Sequence, residues 1–269
     1  LIRPSRKQTH PMSDTAPEQE QLAEGTLVSH LLELRQRLLH AVIAVLIVFV
    51  PLAFFSNELF TLVATPLIEK LPEGTSIIAT SPVAPFMTPL KLSLVLALFI
   101  AMPYVLYQAW AFIAPGLYRR EKRFAMPLFV SSVVLFYVGM AFAYFIVFPL
   151  MFAFLTSTAP ESVKMMTDMS SYLDFTLLLF FAFGLAFEVP IATVLLVTSG
   201  LVKIDALKKN RGYVLLGIVV VAAFITPPDA ISQAFMALPM YLLYEVGILL
   251  SQFLLRKRAE AAAGEEAAE

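Results

Sequence analysis

Six apolar segments joined by polar connections leave this chain few ways to fold. They cover approximately residues 38–55, 90–113, 125–155, 172–199, 212–225 and 230–255. A membrane-spanning helix needs about 20 predominantly apolar residues, and four of the six segments meet that outright. The expected fold is therefore all-α and polytopic, with six transmembrane helices. Composition agrees: 59% of residues are hydrophobic, 14% are charged and the mean hydropathy is +0.80. Soluble domains carry about 25% charged residues. The third segment is long enough to need tilt or to extend beyond the bilayer. The fifth has 14 residues before Thr226-Pro227-Pro228-Asp229, a rise of about 21 Å against a hydrocarbon core of ~30 Å. Either that helix begins within residues 205–211, or the Pro-Pro turn sits below the outer surface.

Lysine and arginine placement sets the expected orientation. With the N-terminus inside, the inner segments hold Arg3, Arg6, Lys7, Arg35 and Arg37, then Arg119, Arg120, Lys122 and Arg123. Lys203, Lys208, Lys209 and Arg211 follow, and Arg256, Lys257 and Arg258 close the series. Only Lys70, Lys91 and Lys164 of the 19 basic residues fall outside. Both termini are expected to be cytoplasmic. The organisation expected is a disordered cytoplasmic segment over 1–25, a membrane domain over 26–255 and a cytoplasmic tail over 256–269. Residues 1–11 are polar, and Met12 is expected to be the native start. No apolar segment precedes residue 38, so no cleavable signal peptide is expected.

The chain has no cysteine, which excludes disulfides and thiolate chemistry. His10, His30 and His40 form no ligand-spaced cluster, so neither a metal nor a cofactor is expected. No glycine-rich phosphate loop is present, so nucleotide hydrolysis is not built in, and no enzymatic activity is expected. The first outer connection, 56–89, contains LFTLVATPLIEKL, whose helical spacing of apolar residues suggests an interfacial helix. Pro72, Pro82, Pro85 and Pro89 then suggest extended, turn-rich chain. The segments differ in length and punctuation, which counts against an inverted-repeat transporter.

One acid interrupts the apolar pattern. Glu188 sits in LLLFFAFGLAFEVPIATVLLV, where every other residue is apolar, glycine, threonine or proline. It lies roughly 16 Å along the helix from Gly200, near mid-membrane. A carboxylate there costs at least ~2.5 kcal/mol on insertion scales and marks a functional candidate. Pro190 removes a backbone donor and is expected to bend the same helix. Glu245, eleven residues before Arg256, is expected at comparable depth, with Tyr241 and Tyr244 as candidate hydrogen-bond partners. These acids could form the ion site of a proton-coupled secondary transporter. Alternatively, Glu188 could bind a polar residue on a partner's span.

Ahead of the first span, His30, Glu33 and Arg37 share one helical face. They make either an ordinary interfacial helix with an i,i+4 ion pair or a carboxylate held ready for a cationic ligand. After the second span, Pro115-Gly116 is expected to force a turn. Glu121 is the only acid among Arg119, Arg120, Lys122 and Arg123. It either relieves their repulsion or serves as a second acceptor. Two surface carboxylates suit an arginine pair, because guanidinium forms a planar two-point fork that lysine cannot reproduce.

HLLELRQRL before the first span, FIAPGLYRREKR after the second, FGLAFEVP in the fourth and TPPD between the last two occur in that order. Together they resemble the TatC family, the polytopic core of the bacterial twin-arginine protein translocase. The resemblance runs from about Thr26 to Leu255. It implies an inner-membrane receptor for twin-arginine signal peptides that initiates export of folded cargo with the single-span partners TatB and TatA, driven by the proton-motive force. By motif it assigns signal binding to Glu33 and Glu121. Phe112, Pro115 and Leu117 would shape the site, and His30, Leu34, Arg35 and Arg37 would position the first helix. Pro66, Tyr144 and Asp229 match positions tied to assembly or transport. Six helices cannot enclose a channel wide enough for folded cargo, so several copies are expected to assemble in the bilayer. No nucleic-acid partner is implied.

Overall fold

The computed structural model describes residues 16–68, 76–117, 122–158, 166–226 and 229–266. Five helical stretches are long and apolar enough to cross a membrane, and a sixth is shorter. Helix α1 spans Ala16–Phe54 and begins ten residues before the expected edge of the membrane domain at Thr26. Helix α2, Ser56–Ile68, occupies the expected interfacial segment. Helix α3 spans Ala84–Leu117. Pro85 and Pro89 therefore lie in its opening turns, which corrects the expectation of extended chain there. Pro85, in the first turn, gives up an N–H that has no helical partner anyway, while Pro89, one turn on, gives up one i→i−4 bond. At its other end, α3 continues through Pro115 and Gly116, so no turn forms before Leu117. Pro115 costs one i→i−4 bond, and the helix ends within two residues.

The third crossing is helical throughout but not uniformly α-helical. Helix α4, Lys122–Phe142, passes into a π-helical turn, Ala143–Val147, and then into α5, Phe148–Ser157. Pro149 follows that turn and lacks an N–H. Widening the helix just before it relieves the clash with the preceding turn. The fourth crossing is two helices, α6, Met169–Ala186, and α7, Val189–Thr198. Pro190 stands in the first turn of α7, and the break falls at Phe187–Glu188, as the sequence predicts. After α8, Ile204–Lys209, the chain kinks at Asn210 and α9 runs over Arg211–Ile225. The fifth crossing is thus 15 residues long and gains nothing from residues 205–210. Helix α10, Ala230–Glu266, continues through the basic tail.

Helix α1 packs on α3, α4 on α6, and α7 and α9 on α10. Lipid tails are as apolar as the side chains, so close packing rather than water exclusion holds such helices together. The α4–α6 crossing shows how. A Cβ at Gly139 would stand 2.4 Å from the Phe183 carbonyl oxygen, and one at Gly184 would stand 2.6 Å from the Phe136 ring. Phe136 and Phe183 are fully buried at this contact. Only 6% of the most apolar stretch of α1 is buried, so this helix forms an edge of the bundle.

A short sheet, not expected from the sequence, closes one end. Strands β1, Ser76–Ile78, and β2, Met166–Asp168, pair in parallel. Asp168 also caps α6, accepting from the Ser171 amide at 2.9 Å. Its other oxygen accepts from the Thr80 hydroxyl at 2.6 Å and the Thr80 amide at 3.1 Å. These bonds, with the Thr80 hydroxyl first, hold the carboxyl well below its ordinary range. Nearby, Lys91 pairs with Asp174 at 2.6 Å, and Thr88 and Ser170 hydroxyls meet at 2.8 Å. Arg35, Arg37, Lys203, Lys208, Lys209, Arg256 and Lys257 belong to the opposite, basic end.

Candidate functional site

At the basic end, the α1–α3 contact brings His30 against Phe112. Their rings stack with centroids 4.3 Å apart and planes inclined by 22°. One turn further along α1, Glu33 accepts from Arg37 Nη2 at 2.6 Å and Nε at 2.9 Å, both on the same carboxylate oxygen. The pair is partly exposed, so its net contribution is about 0.5 kcal/mol. A ligand guanidinium can therefore displace Arg37 at little cost. Leu34 and Arg35 are exposed beside it. Pro115 and Leu117 occupy the last turn of α3. Glu121, the second proposed acceptor, lies outside the described residues.

Glu188 sits at the α6–α7 break, and its side chain does not cap α7. The Ser132 hydroxyl of α4 donates to Glu188 Oε2 in a short hydrogen bond. Ser132 Oγ in turn accepts from Trp110 Nε1 of α3 at 3.3 Å. Three crossings thus meet at one polar chain. The other carboxyl oxygen, Oε1, is buried without a hydrogen-bond partner among the described residues. Such an atom costs about 1–3 kcal/mol, which makes it a point where a partner group gains by binding.

Glu245 differs. It pairs with Arg211 Nη2 at 2.6 Å and accepts from Tyr241 at 2.9 Å. Tyr244 donates instead to the Leu207 carbonyl at 2.9 Å. Arg211, the first residue of α9, reaches Glu245 from the basic end. Gly247, two residues further along α10, lies against Pro190 and Thr193 of α7, which puts Glu245 at about the level of Glu188. The two acids therefore differ in their partners rather than in their position along the crossing.

Among the remaining candidates, Asp229 caps α10, with Oδ1 accepting from the Ser232 amide at 2.7 Å. Tyr144 lies in the π-turn, edge-on to Phe145 and Phe180 at 4.8 and 6.0 Å. Pro66 lies in α2. Sequence reasoning missed Trp110, Ser132, Arg211 and Asp168. Two signals pointed to some of them: the chain's one tryptophan, and a serine pair inside an otherwise apolar helix. Ser131 bonds back to the Pro127 carbonyl at 2.8 Å, leaving Ser132 for Glu188.

Comparison with known proteins places this arrangement. The sequence model of the family described as Sec-independent protein translocase protein (TatC) matches residues 29–239. A Sec-independent protein translocase protein TatC of Azotobacter chroococcum mcd 1 is 55% identical over 239 residues, covering 89% of this chain and 93% of the relative. Its counterpart from Escherichia coli K12 is 52% identical over 231 residues, covering 86% and 90%. The crystal structure of a twin-arginine translocase receptor, TatC, superposes with a TM-score of 0.75 at 38% identity, covering 83% of this chain and 98% of that one. The six crossings, the proline-broken fourth helix and the intramembrane glutamate therefore belong to a member of the TatC family of Sec-independent protein translocases.

Proposed function

We propose that this chain is the receptor and core subunit of a twin-arginine translocase, with its basic end and both termini in the cytoplasm. Its ligands are signal peptides carrying an arginine pair. The observation that carries the reading is the paired arrangement of His30 on Phe112 and Glu33 on Arg37. It offers an aromatic shelf beside a carboxylate whose present partner is weak and replaceable. Glu121 supplies the second carboxylate, four residues beyond the end of α3, whose last turn carries Pro115 and Leu117. Crosslinking a signal peptide to the membrane-embedded protein tests this. A twin-arginine peptide should crosslink, a twin-lysine peptide should crosslink less, and Glu121→Lys should weaken the first more than the second. Equal loss for both peptides would show that guanidinium geometry is not read.

Glu188 serves the later step. Its unsatisfied oxygen is a receptor for a polar group on the span of TatA or TatB, which joins after the signal peptide arrives. The short α9 thins the bilayer locally and lowers the cost of that polar contact. Transport then draws on the proton-motive force and on several copies of the chain. The rival reading, an ion-coupled transporter, uses Glu188 and Glu245 together as its ion site. With Glu245 tied to Arg211, only Glu188 remains.

A further inference from the structure

Trp110 and Phe112 are two residues apart on α3, so their side chains project about 200° from one another. Phe112 meets His30 of α1, and Trp110 reaches Ser132 of α4. The basic end of α3 is thus held between the proposed signal-binding surface and the polar chain that ends on Glu188. The hydrogen bonding along that chain has a fixed direction. An indole N–H can only donate, so Ser132 accepts from Trp110 and spends its single proton on Glu188. The first link, at 3.3 Å, is at the long limit of an N–H···O bond, whereas the Ser132–Glu188 link is short. A small rotation of α3 therefore breaks the Trp110 link first. Closed in this way, Glu188 Oε1 is buried and out of a partner's reach.

We propose that Trp110 and Ser132 are positioning residues that hold Glu188 closed until a ligand on the His30–Phe112 surface turns the end of α3 and frees it. The proposal rests on the receptor function above and adds the route by which an occupied signal site is felt at the intramembrane acid. It assigns the chain's single tryptophan a role that its aromatic bulk alone would not fill. What matters is the N–H. Phenylalanine at position 110 keeps most of the ring volume and removes the donor, and threonine at position 132 keeps the hydroxyl that alanine lacks.

The absence of cysteine makes the test direct. Leu185, one turn before Glu188, is 44% exposed. The full chain with Leu185→Cys, labelled with a polarity-sensitive dye and reconstituted in lipid nanodiscs, reports on the surroundings of Glu188. A twin-arginine peptide with its own fluorophore gives the affinity separately. The expected result is a peptide-dependent dye shift that is lost in Trp110→Phe and Ser132→Ala and kept in Ser132→Thr, while peptide affinity stays within about twofold, ~0.4 kcal/mol. A shift that survives in Trp110→Phe and Ser132→Ala, or no shift in the parent despite peptide binding, overturns the relay and leaves the receptor reading intact. Failure of the parent to bind the peptide overturns the receptor reading and the relay with it.

Discussion

Glu188 and Glu245 are both acids in otherwise apolar stretches, eleven or twelve residues from the next polar boundary, yet their surroundings have little in common. Glu245 has a full complement: a guanidinium from α9 and a tyrosine hydroxyl from its own helix. Glu188 has one serine hydroxyl and an oxygen left over. An acid with a complete set of partners holds helices together. An incomplete set leaves binding capacity, and in a membrane that capacity is expensive enough to need a use. Position along the helix therefore says less about an intramembrane acid than the neighbouring helices do.

The largest effect is expected at Glu188. Glu188→Ala and Glu188→Leu should reduce export of twin-arginine cargo by about tenfold or more, equivalent to ~1.4 kcal/mol of lost partner engagement. Signal-peptide crosslinking should remain. Unchanged export in both variants would remove the distinction between the acids. Glu245→Ala should act on stability instead, because it strands Arg211. The pair is partly solvated, with side chains 45% and 23% exposed, so the expected loss is about 1–2 kcal/mol. Thermal unfolding in detergent measures it, and adding Arg211→Met should recover much of the loss. Glu245→Gln should cost less still, about 0.5–1 kcal/mol, since an amide oxygen can still accept from Tyr241. If Glu245→Gln abolishes export at normal protein levels, Glu245 has a transport role and the contrast fails.

The smallest effect is expected at Asp168. Its native carboxyl titrates below the unfolded value of about 4, so its stabilisation is complete above that value. It is lost as the pH falls from there toward the lower native value. Asp168→Asn should lower the unfolding midpoint by a few degrees at neutral pH and flatten the acid limb of the stability curve. An unaltered acid limb would assign that limb to other carboxylates.

Much of this architecture is legible in the residues. Apolar runs place every crossing, Pro190 places the α6–α7 break, and helical spacing finds α2. Local rules fail where tertiary partners decide. The prolines at 85 and 89 suggest loop, yet both fit the opening turns of α3. Strands β1 and β2 pair across some 90 residues of sequence, and three-residue strands leave no periodicity to read. Asp168 before Met169-Ser170-Ser171 carries a recognisable N-cap pattern, but its second attachment, to Thr80, depends wholly on the fold. The same applies to Glu245, whose tyrosine is visible four residues away and whose arginine is visible only once α9 lies beside α10.

The parallel strands and the Asp168 bonds have a mechanical consequence. They fasten the approach to α3 and the start of α6 to one another at the end far from the basic residues. A rod pinned at one end moves most at the other. Small tilts of α3 and α6 about that pinned end are therefore largest near Trp110 and Phe112, and least at the strands. The clasp makes the bundle a lever with its fulcrum on one membrane surface and its working arm on the other.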